Sequence, residues 1–254
     1  MMSIEKRHRF ILEELKKKGY VRVQELADAL GVTGATIRKD LRTLESRHAL
    51  LRNHGSASPV VRKVIDLPVQ EKSGINLSQK ARIARAACTL VAEEDAIILT
   101  SGSTIEAFAS ALQPRGPVNA VTPSLRVGVL LNDKENVETM ILGGKIIRKS
   151  LSVRDSYTMD GLKNVKCSKL FFSCDGLDLD AGVTTAFVEE ARLTAAMIDA
   201  VSTVILLADS SKIGKVGFGK ICDLADLDIL ITDDGIPSPL RTAIEASGVR
   251  VIVA

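Results

Sequence analysis

The chain has 254 residues, of which 46% are hydrophobic and 26% are charged, a composition typical of soluble proteins with a buried core. No apolar run approaches the ~18–20 residues of a membrane span, and the charged N-terminus lacks the pattern of a signal peptide, so we expect a cytoplasmic protein without membrane contact. The formal net charge is only +3, but residues 1–58 contain 12 basic and 7 acidic residues. The net charge of +5 on this segment favours a polyanionic partner for it.

The four cysteines show no metal-binding or disulfide pattern. No two of them are spaced as Cys-x-x-Cys, and each lies in or beside an apolar stretch. We therefore expect reduced, packed thiols and no metal site.

Three amphipathic helices are predicted in the N-terminal part of the chain. The first ends at Gly19, and the second covers residues 24–30 and ends at Gly31. Thr33 is placed to cap the third helix. Their buried faces are predicted at Ile4, His8, Ile11 and Leu15, at Leu26, Ala27 and Leu30, and at Ile37, Leu41 and Leu44.

This order of helices is that of a helix-turn-helix motif, and a strand at 50–52 followed by a turn at 54–57 would begin a wing. A plain helical bundle has the same order, so the composition of the third helix decides between them. With Ile37 facing inward, 100° per residue places small and basic side chains on the outer face. Such a face can approach phosphates and base edges in a major groove. The predicted DNA-binding residues are Thr33, Thr36, Arg38, Lys39 and Arg42.

Residues 75–254 are predicted to form a doubly wound, mostly parallel α/β domain, joined to the DNA-binding domain (1–58) by a linker (59–74) with two prolines and no sustained period. Nearly continuous apolar runs that alternate with helices are expected of parallel strands covered on both faces. The predicted strands are 96–100, 118–121, 137–142, 169–173, 203–208, 228–232 and 249–253, and the predicted helices include 79–93, 104–112, 187–200 and 239–247.

Small and polar residues follow most of these strands. Ligands of open α/β sheets bind beyond the carboxyl ends of the strands, so we expect these clusters to converge on one crevice. In the segment 100–104, Gly102 lets backbone N–H groups approach an anion, hydroxyl groups add donors, and the next helix directs its positive end to the same point. Lys212 would supply a counter-charge to a phosphate. The alternative is an ordinary strand-to-helix turn capped by Ser or Thr. The predicted effector-binding residues are Ser101, Gly102, Ser103, Thr104, Thr122, Gly143, Gly144, Asp175, Asp209 and Lys212.

Two sets of residues carry a resemblance to a known family. The first set is Arg7, Ile11, Leu15, Gly19, Val21, Leu26, Ala27, Leu30, Thr36–Arg38, Asp40-Leu41, Leu44-Glu45, Leu50, Arg52 and His54-Gly55, and the second is Gly102–Thr104, Thr122, Gly143-Gly144, Asp175-Gly176, Glu190-Ala191 and Asp209–Lys212. The first set resembles the DeoR-type helix-turn-helix signature, and the second is similar to the DeoR sensor domain, which is related to the ribose-5-phosphate isomerase and coenzyme A transferase folds. Three positions depart from the family pattern: Thr100, Pro123 and Ser56 stand where many members have Asp, Asn and Gly.

The resemblance implies a repressor of sugar or polyol uptake and catabolism genes, whose affinity for double-stranded operator DNA is altered by a sugar phosphate. It also implies a homo-oligomer, and a dimer or tetramer fits because one recognition helix contacts only one half-site. No catalytic residue, cofactor or metal is expected. The alternative function is a sugar-phosphate isomerase with an appended DNA-binding module, with Asp175, Glu189 and Asp209 as candidate bases. All three histidines precede residue 58, so the predicted crevice has no imidazole, which favours the regulator.

Overall fold

The computed structural model describes residues 2–46, 49–53, 55–59 and 67–254. These residues divide into two compact units. The first comprises the N-terminal residues through 59 together with Pro237–Ala243, and the second comprises residues 67–236 with 244–254. Within the described residues, no helix is long and apolar enough to cross a membrane.

The first unit contains the three predicted helices and a small antiparallel sheet. Its elements are α1 (Ile4–Lys18), β1 (Val21–Arg22), α2 (Val23–Leu30), α3 (Gly34–Ser46), β2 (Leu50–Asn53) and β3 (Ser56–Pro59). Gly19 and Gly31 end the first two helices in the left-handed conformation, with φ of 74° and 61°. Oγ1 of Thr33 accepts the backbone N–H of Thr36 at 3.3 Å and so caps α3. The strand order is β1-β3-β2, so the antiparallel β2–β3 hairpin is the expected wing; residue 54 of the predicted turn lies outside the described residues.

The buried faces of the three helices pack into one apolar core, largely as predicted. Ile11, Ile37 and Leu41 are at most 1% exposed. The exception is Ile4, which is 59% exposed, because the buried part of α1 begins about one turn later, at Arg7.

The second unit is an α/β domain built on one long sheet. In chain order its elements are α4 (Val69–Ser73), α5 (Leu77–Cys88), β4 (Ala96–Leu99), α6 (Ser103–Ala111), β5 (Val118–Thr122), α7 (Leu125–Asn132), β6 (Val137–Ile141), β7 (Ile146–Ile147), β8 (Ser152–Val153), α8 (Ser156–Leu162), β9 (Cys167–Phe172), β10 (Gly176–Asp178), β11 (Gly182–Thr185), α9 (Val188–Ile198), β12 (Val201–Leu207), β13 (Gly219–Cys222), β14 (Ile229–Thr232) and β15 (Arg250–Val253). The helix between the last two strands, α10 (Ser238–Ala246), begins with residues of the first unit and ends with residues of the second. The seven strands of the main sheet are the seven predicted from apolar runs, and all their pairings are parallel.

The main sheet has the order β15-β14-β12-β9-β4-β5-β6 and is covered on both faces. Ile97 and Leu99 of β4 belong to the core cluster that includes residues of α5, α6 and α7, whereas Ile98 belongs to the cluster that includes residues of α8 and α9. Burial of successive residues on opposite faces explains why the strands are continuous apolar runs. The fold class is therefore the predicted one.

Several smaller elements were not predicted from the sequence. The helices α7 and α8, the β7–β8 hairpin and the antiparallel sheet β10-β11-β13 are all in this group. Part of the predicted linker is also helical: α4 occupies Val69–Ser73, and Val69 is buried. Residues 60–66 of that linker lie outside the described residues. All four cysteines are free thiols in the structure, and three of them are buried.

Candidate functional site

The outer face of α3 presents the side chains that the sequence assigns to DNA. Arg38, Lys39 and Arg42 are exposed, as is Thr33, whereas Thr36 is half-buried. The hydroxyl oxygens of the two threonines are 3.0 Å apart at the start of the helix. The opposite face of α3 is an apolar stripe buried in the core, so only the polar face is available to bind a partner. The structure therefore places all five residues where the DNA-binding prediction needs them, and their role stays a prediction.

The centre of the main sheet is where the direction of chain progress across the sheet reverses. The neighbours β4 and β9 lead to strands on opposite sides, so the loops that leave them diverge and open a crevice. Gly102 lies in the loop after β4 with a φ of 125°, and a Cβ there would lie 2.6 Å from Oγ of Ser173, which follows β9. Glycine is needed for this close approach.

A pocket opens at this crevice and brings together six of the ten predicted effector residues. The sequence did not single out most of its other polar side chains. The predicted residues that line it are Ser101, Gly102, Ser103, Thr104, Asp175 and Lys212, and further polar side chains come from Lys72, Lys149, Ser150, Arg154, Ser173, Thr185 and Glu190.

The first turn of α6 borders this pocket through Ser103 and Thr104. In the part of the chain that the structure describes, no side chain caps this helix, whose N-cap residue is Gly102. Helix N-termini carry unsatisfied N–H groups and the positive end of the helix dipole. This edge of the pocket is therefore suited to an anion.

Two ion pairs cross the pocket between distant segments. Lys72 Nζ donates to Oδ1 of Asp175 at 2.8 Å, and Arg154 Nη1 lies 3.4 Å from Oε2 of Glu190. Lys212 has no carboxylate within ion-pair distance in the described part of the chain. The pocket lining contains more cationic side chains than carboxylates, since Lys149 and Lys212 are present in addition to the two ion pairs. This positive excess favours an anionic ligand.

Burial and neighbouring charges shift the pKa values of the two pocket carboxylates in opposite directions. Burial alone would raise the pKa of Asp175, but the ammonium groups of Lys72 and Lys212 and the backbone N–H of Ala186 together outweigh burial, and the pKa lies below its usual value. Burial raises the pKa of Glu190, the charge of Asp175 raises it further, and Arg154 only partly opposes this. Asp175 is thus held as an anion, and Glu190 is the more readily protonated of the two.

Thr185 connects these two carboxylates. Its hydroxyl group is 3.1 Å from Oδ2 of Asp175 and 3.2 Å from Oε2 of Glu190, and a single hydroxyl hydrogen serves one of them at a time. Beside them, the guanidinium carbon of Arg154 lies 4.4 Å from the ring centroid of Phe187. This stacking holds Arg154 at the wall of the pocket.

The other four predicted effector residues do not line this pocket. Oγ1 of Thr122 accepts the backbone N–H of Ser124 at 3.1 Å. Asp209 accepts from Asn76 Nδ2 and from the backbone of its own turn, each at 3.0 Å. The carbonyl group of Gly143 accepts the hydroxyl of Thr158 at 2.8 Å, and a Cβ on Gly144 would lie 2.6 Å from Oγ1 of the same residue. All four have local structural partners, and no contact with a ligand follows from their placement.

Sequence reasoning found pocket residues by their position directly after a predicted strand, and the residues that it missed do not lie at such positions. Lys72 lies in the predicted linker, and Arg154 lies between a short hairpin and α8, so neither follows a strand of the main sheet. Glu190 was part of the family resemblance, and as one of two carboxylates in the first turn of a helix it has an ordinary structural explanation. Only the tertiary structure reveals their convergence.

A chain that contains both a winged helix-turn-helix and an α/β domain with a polar pocket belongs to a class of DNA-binding regulators. Comparisons with known proteins make this specific. The family model for the DeoR-like helix-turn-helix domain matches residues 7–61, and that for the DeoR C-terminal sensor domain matches residues 75–234. The chain belongs to the DeoR family of transcriptional regulators.

Relatives of known name match almost the whole chain. The uncharacterized HTH-type transcriptional regulator YulB of Bacillus subtilis is 34% identical over 98% of this chain and 96% of its own. A putative aga operon transcriptional repressor of Escherichia coli O157:H7 is 32% identical over 96% and 91%, and the regulator GlpR of Haloferax volcanii is 32% identical over 99% and 98%. Among solved structures, a D-ribose-5-phosphate isomerase aligns with 59% of this chain and 55% of its own at 14% identity, with a TM-score of 0.38.

Proposed function

We propose that this chain is a repressor of carbohydrate uptake or catabolism genes, and that a sugar phosphate bound in the pocket at the centre of the sheet alters its affinity for operator DNA. The observation that carries the proposal is the meeting of an uncapped helix N-terminus, the Ser101–Thr104 loop and Lys212 at one pocket. Backbone N–H groups, hydroxyl donors and an ammonium group together suit a phosphate.

The rest of the pocket suits the hydroxyl groups of a sugar or polyol. Asp175, Glu190 and Thr185 offer acceptors and a hydroxyl group within the same space. The names of two relatives fit this reading, since one is an aga operon repressor of Escherichia coli and another is the glycerol-3-phosphate regulon repressor of that species. The predicted ligand therefore has a phosphate at one end and hydroxyl groups at the other.

The ligand can change DNA binding only through a difference in its affinity for two states of the protein. We expect a homo-oligomer, because one recognition helix covers one half-site of an operator. The oligomer would then have two states that differ in their affinity for operator DNA. Binding of the ligand would change the populations of these states and so change repression.

A thermal-unfolding scan of the purified chain tests the ligand class. The probes are ribose 5-phosphate, fructose 1-phosphate, glucose 6-phosphate and glycerol 3-phosphate, each beside its unphosphorylated parent. A ligand at 100 times its dissociation constant adds about 2.7 kcal/mol to the free energy of unfolding, so we expect one phosphorylated compound to raise the melting temperature and its parent not to. If every phosphate and its parent act alike, the sugar-phosphate proposal is wrong.

A further inference from the structure

A buried ion pair joins α1 to the inner side of α3 in the first unit. Nε and Nη2 of Arg7 donate to the two carboxylate oxygens of Asp40 at 2.8 and 3.0 Å, and Nε2 of His8 lies 3.2 Å from Oδ1 of the same carboxylate. Arg7, His8 and Asp40 are only 8%, 7% and 4% exposed. The carboxylate of Asp40 is therefore held by three nitrogen atoms from α1, almost out of contact with water.

Asp40 lies on the side of α3 that faces away from Arg38 and Arg42, the two arginines among the predicted DNA contacts. At 100° per residue it is about 160° around the helix from Arg42, and it is buried while its neighbour Lys39 is exposed. A movement of Asp40 relative to α1 would thus turn or shift the outer face of α3 by a comparable amount, because the helix is rigid over its length.

Apolar residues of α1 and α3 also pack together, but hydrophobic attraction by itself sets no direction. The apolar residues on their inner faces share one core cluster, and apolar attraction is non-directional. A guanidinium–carboxylate fork is planar and directional. Buried ion pairs add little net stability compared with apolar residues of similar volume, so stability alone gives no reason for this pair at the centre of a small domain.

We propose that Arg7 and Asp40 are a positioning pair, which sets the rotation and depth of α3 relative to α1 and thereby allows α3 to discriminate between DNA sequences. Arg7 does this from a fixed place, because its Nη1 also donates to the carbonyl oxygen of Met2, ahead of α1, at 3.0 Å. Phosphate contacts tolerate small displacements of the helix, whereas base-edge contacts depend on geometry. The pair acts on sequence discrimination more than on total affinity for DNA.

The double variant Arg7→Met with Asp40→Leu tests this, because it removes the pair without changing the net charge. The matched control is Glu14→Gln with Lys18→Met, which removes an ion pair within α1. The specific probe is a duplex enriched by the wild-type chain from a random pool, and the unenriched pool is the non-specific probe. We expect the test variant to bind the enriched duplex at least ~10-fold more weakly, in line with the loss of a bidentate base contact, and to bind the pool as the wild type does.

The control should bind both probes as the wild type does. A test variant that melts cooperatively and keeps its preference for the enriched duplex would overturn the proposal, since the pair would then be structural only. If the double variant does not melt cooperatively, Arg7→Lys decides, because it keeps the charge and loses the two-pronged geometry. A reduced ratio of specific to non-specific affinity in Arg7→Lys supports the proposal, and an unchanged ratio overturns it.

Discussion

At the scale of single residues, Glu190 shows how a pocket can hold a carboxylate that is costly to ionise. Its partners Arg154 and Thr185 favour the charged form, but burial and the nearby charge of Asp175 prevail, and its pKa is raised. Raised pKa values are common where a protein needs a group that both donates and accepts hydrogen bonds.

The raised pKa predicts a pH-dependent effect of Glu190→Gln on stability. As the pH rises, the carboxyl group of Glu190 loses its proton in the unfolded chain first, at pH ~4.3, and in the folded chain only at higher pH. The contribution of Glu190 to the stability of the fold is therefore present at low pH and is lost as the pH rises through its pKa in the folded state. Glu190→Gln should therefore stabilise the protein more, relative to the wild type, at pH 7 than at pH 4. The free energy of unfolding of the variant minus that of the wild type should be larger at pH 7. Urea unfolding at the two pH values measures this difference.

The control for that experiment is Glu189→Gln, which removes an exposed carboxylate from the same turn. Solvent screens such a group, so we expect a much smaller change between the two pH values. If the gain in stability from Glu190→Gln is equal at both pH values, or larger at pH 4, burial does not raise the pKa of this carboxyl group.

At the scale of elements, the loop between β4 and α6 is shaped by one backbone position. Gly102 has a φ of 125°, and its hydrogen stands where a Cβ would lie 2.6 Å from Oγ of Ser173. This combination brings the N-terminus of α6 against the loop after β9. The loop thus joins the two central strands into one site, which an ordinary capped turn would not do.

Gly102→Ala is expected to destabilise the second unit by roughly 1–3 kcal/mol, the typical cost of a residue held in a sparsely populated backbone region, and to weaken binding of the stabilising sugar phosphate. Chemical denaturation and ligand titration measure the two effects. The matched control is Gly143→Ala, also in a loop after a strand of the same sheet, where a Cβ would meet no atom within 4 Å. Equal stability of the two variants would contradict the role given to Gly102.

At the scale of the whole molecule, the two units carry different predicted tasks. The first presents the exposed Arg38 on α3, and the second presents Lys212 at the pocket. If binding of DNA and ligand are separate events coupled through the chain, each can be lost without the other.

Arg38→Ala should weaken binding to the enriched duplex by about 1–3 kcal/mol, or roughly 5- to 150-fold, and leave the stabilisation by the sugar phosphate unchanged. Lys212→Ala should abolish the stabilisation by the sugar phosphate and leave binding to the enriched duplex unchanged. Electrophoretic mobility shift and thermal-unfolding assays on both variants provide the test.

Two variants serve as controls, since each removes the same charge elsewhere in its unit: Lys17→Ala on α1, and Lys220→Ala, whose side chain pairs with Asp223 on the surface. Loss of both functions in either test variant would refute the separation of tasks.

The sequence by itself determined the three helices of the first unit, the strands of the main sheet and one part of the pocket. Apolar stripes gave α1, α2 and α3, continuous apolar runs gave all seven strands of the main sheet, and the Ser101–Thr104 loop already suggested an anion site. These features could be predicted because each depends on a few neighbouring residues, whose spacing fixes which side chains share a face. The short helix α4 was missed because Pro68 and the charges around it are typical of a linker.

Only the tertiary structure decided which strand ends meet, because this depends on strand order. Asp175 and Gly102 share a pocket since β4 and β9 are neighbours, whereas Gly143 follows β6, three strands from β9, a distance of about 14 Å at the usual ~4.8 Å per strand. Pairs such as Lys72 with Asp175, 103 positions apart, and Arg7 with Asp40, 33 apart, leave no trace in local spacing. Their contacts arise from packing of the whole chain, which no window of sequence contains.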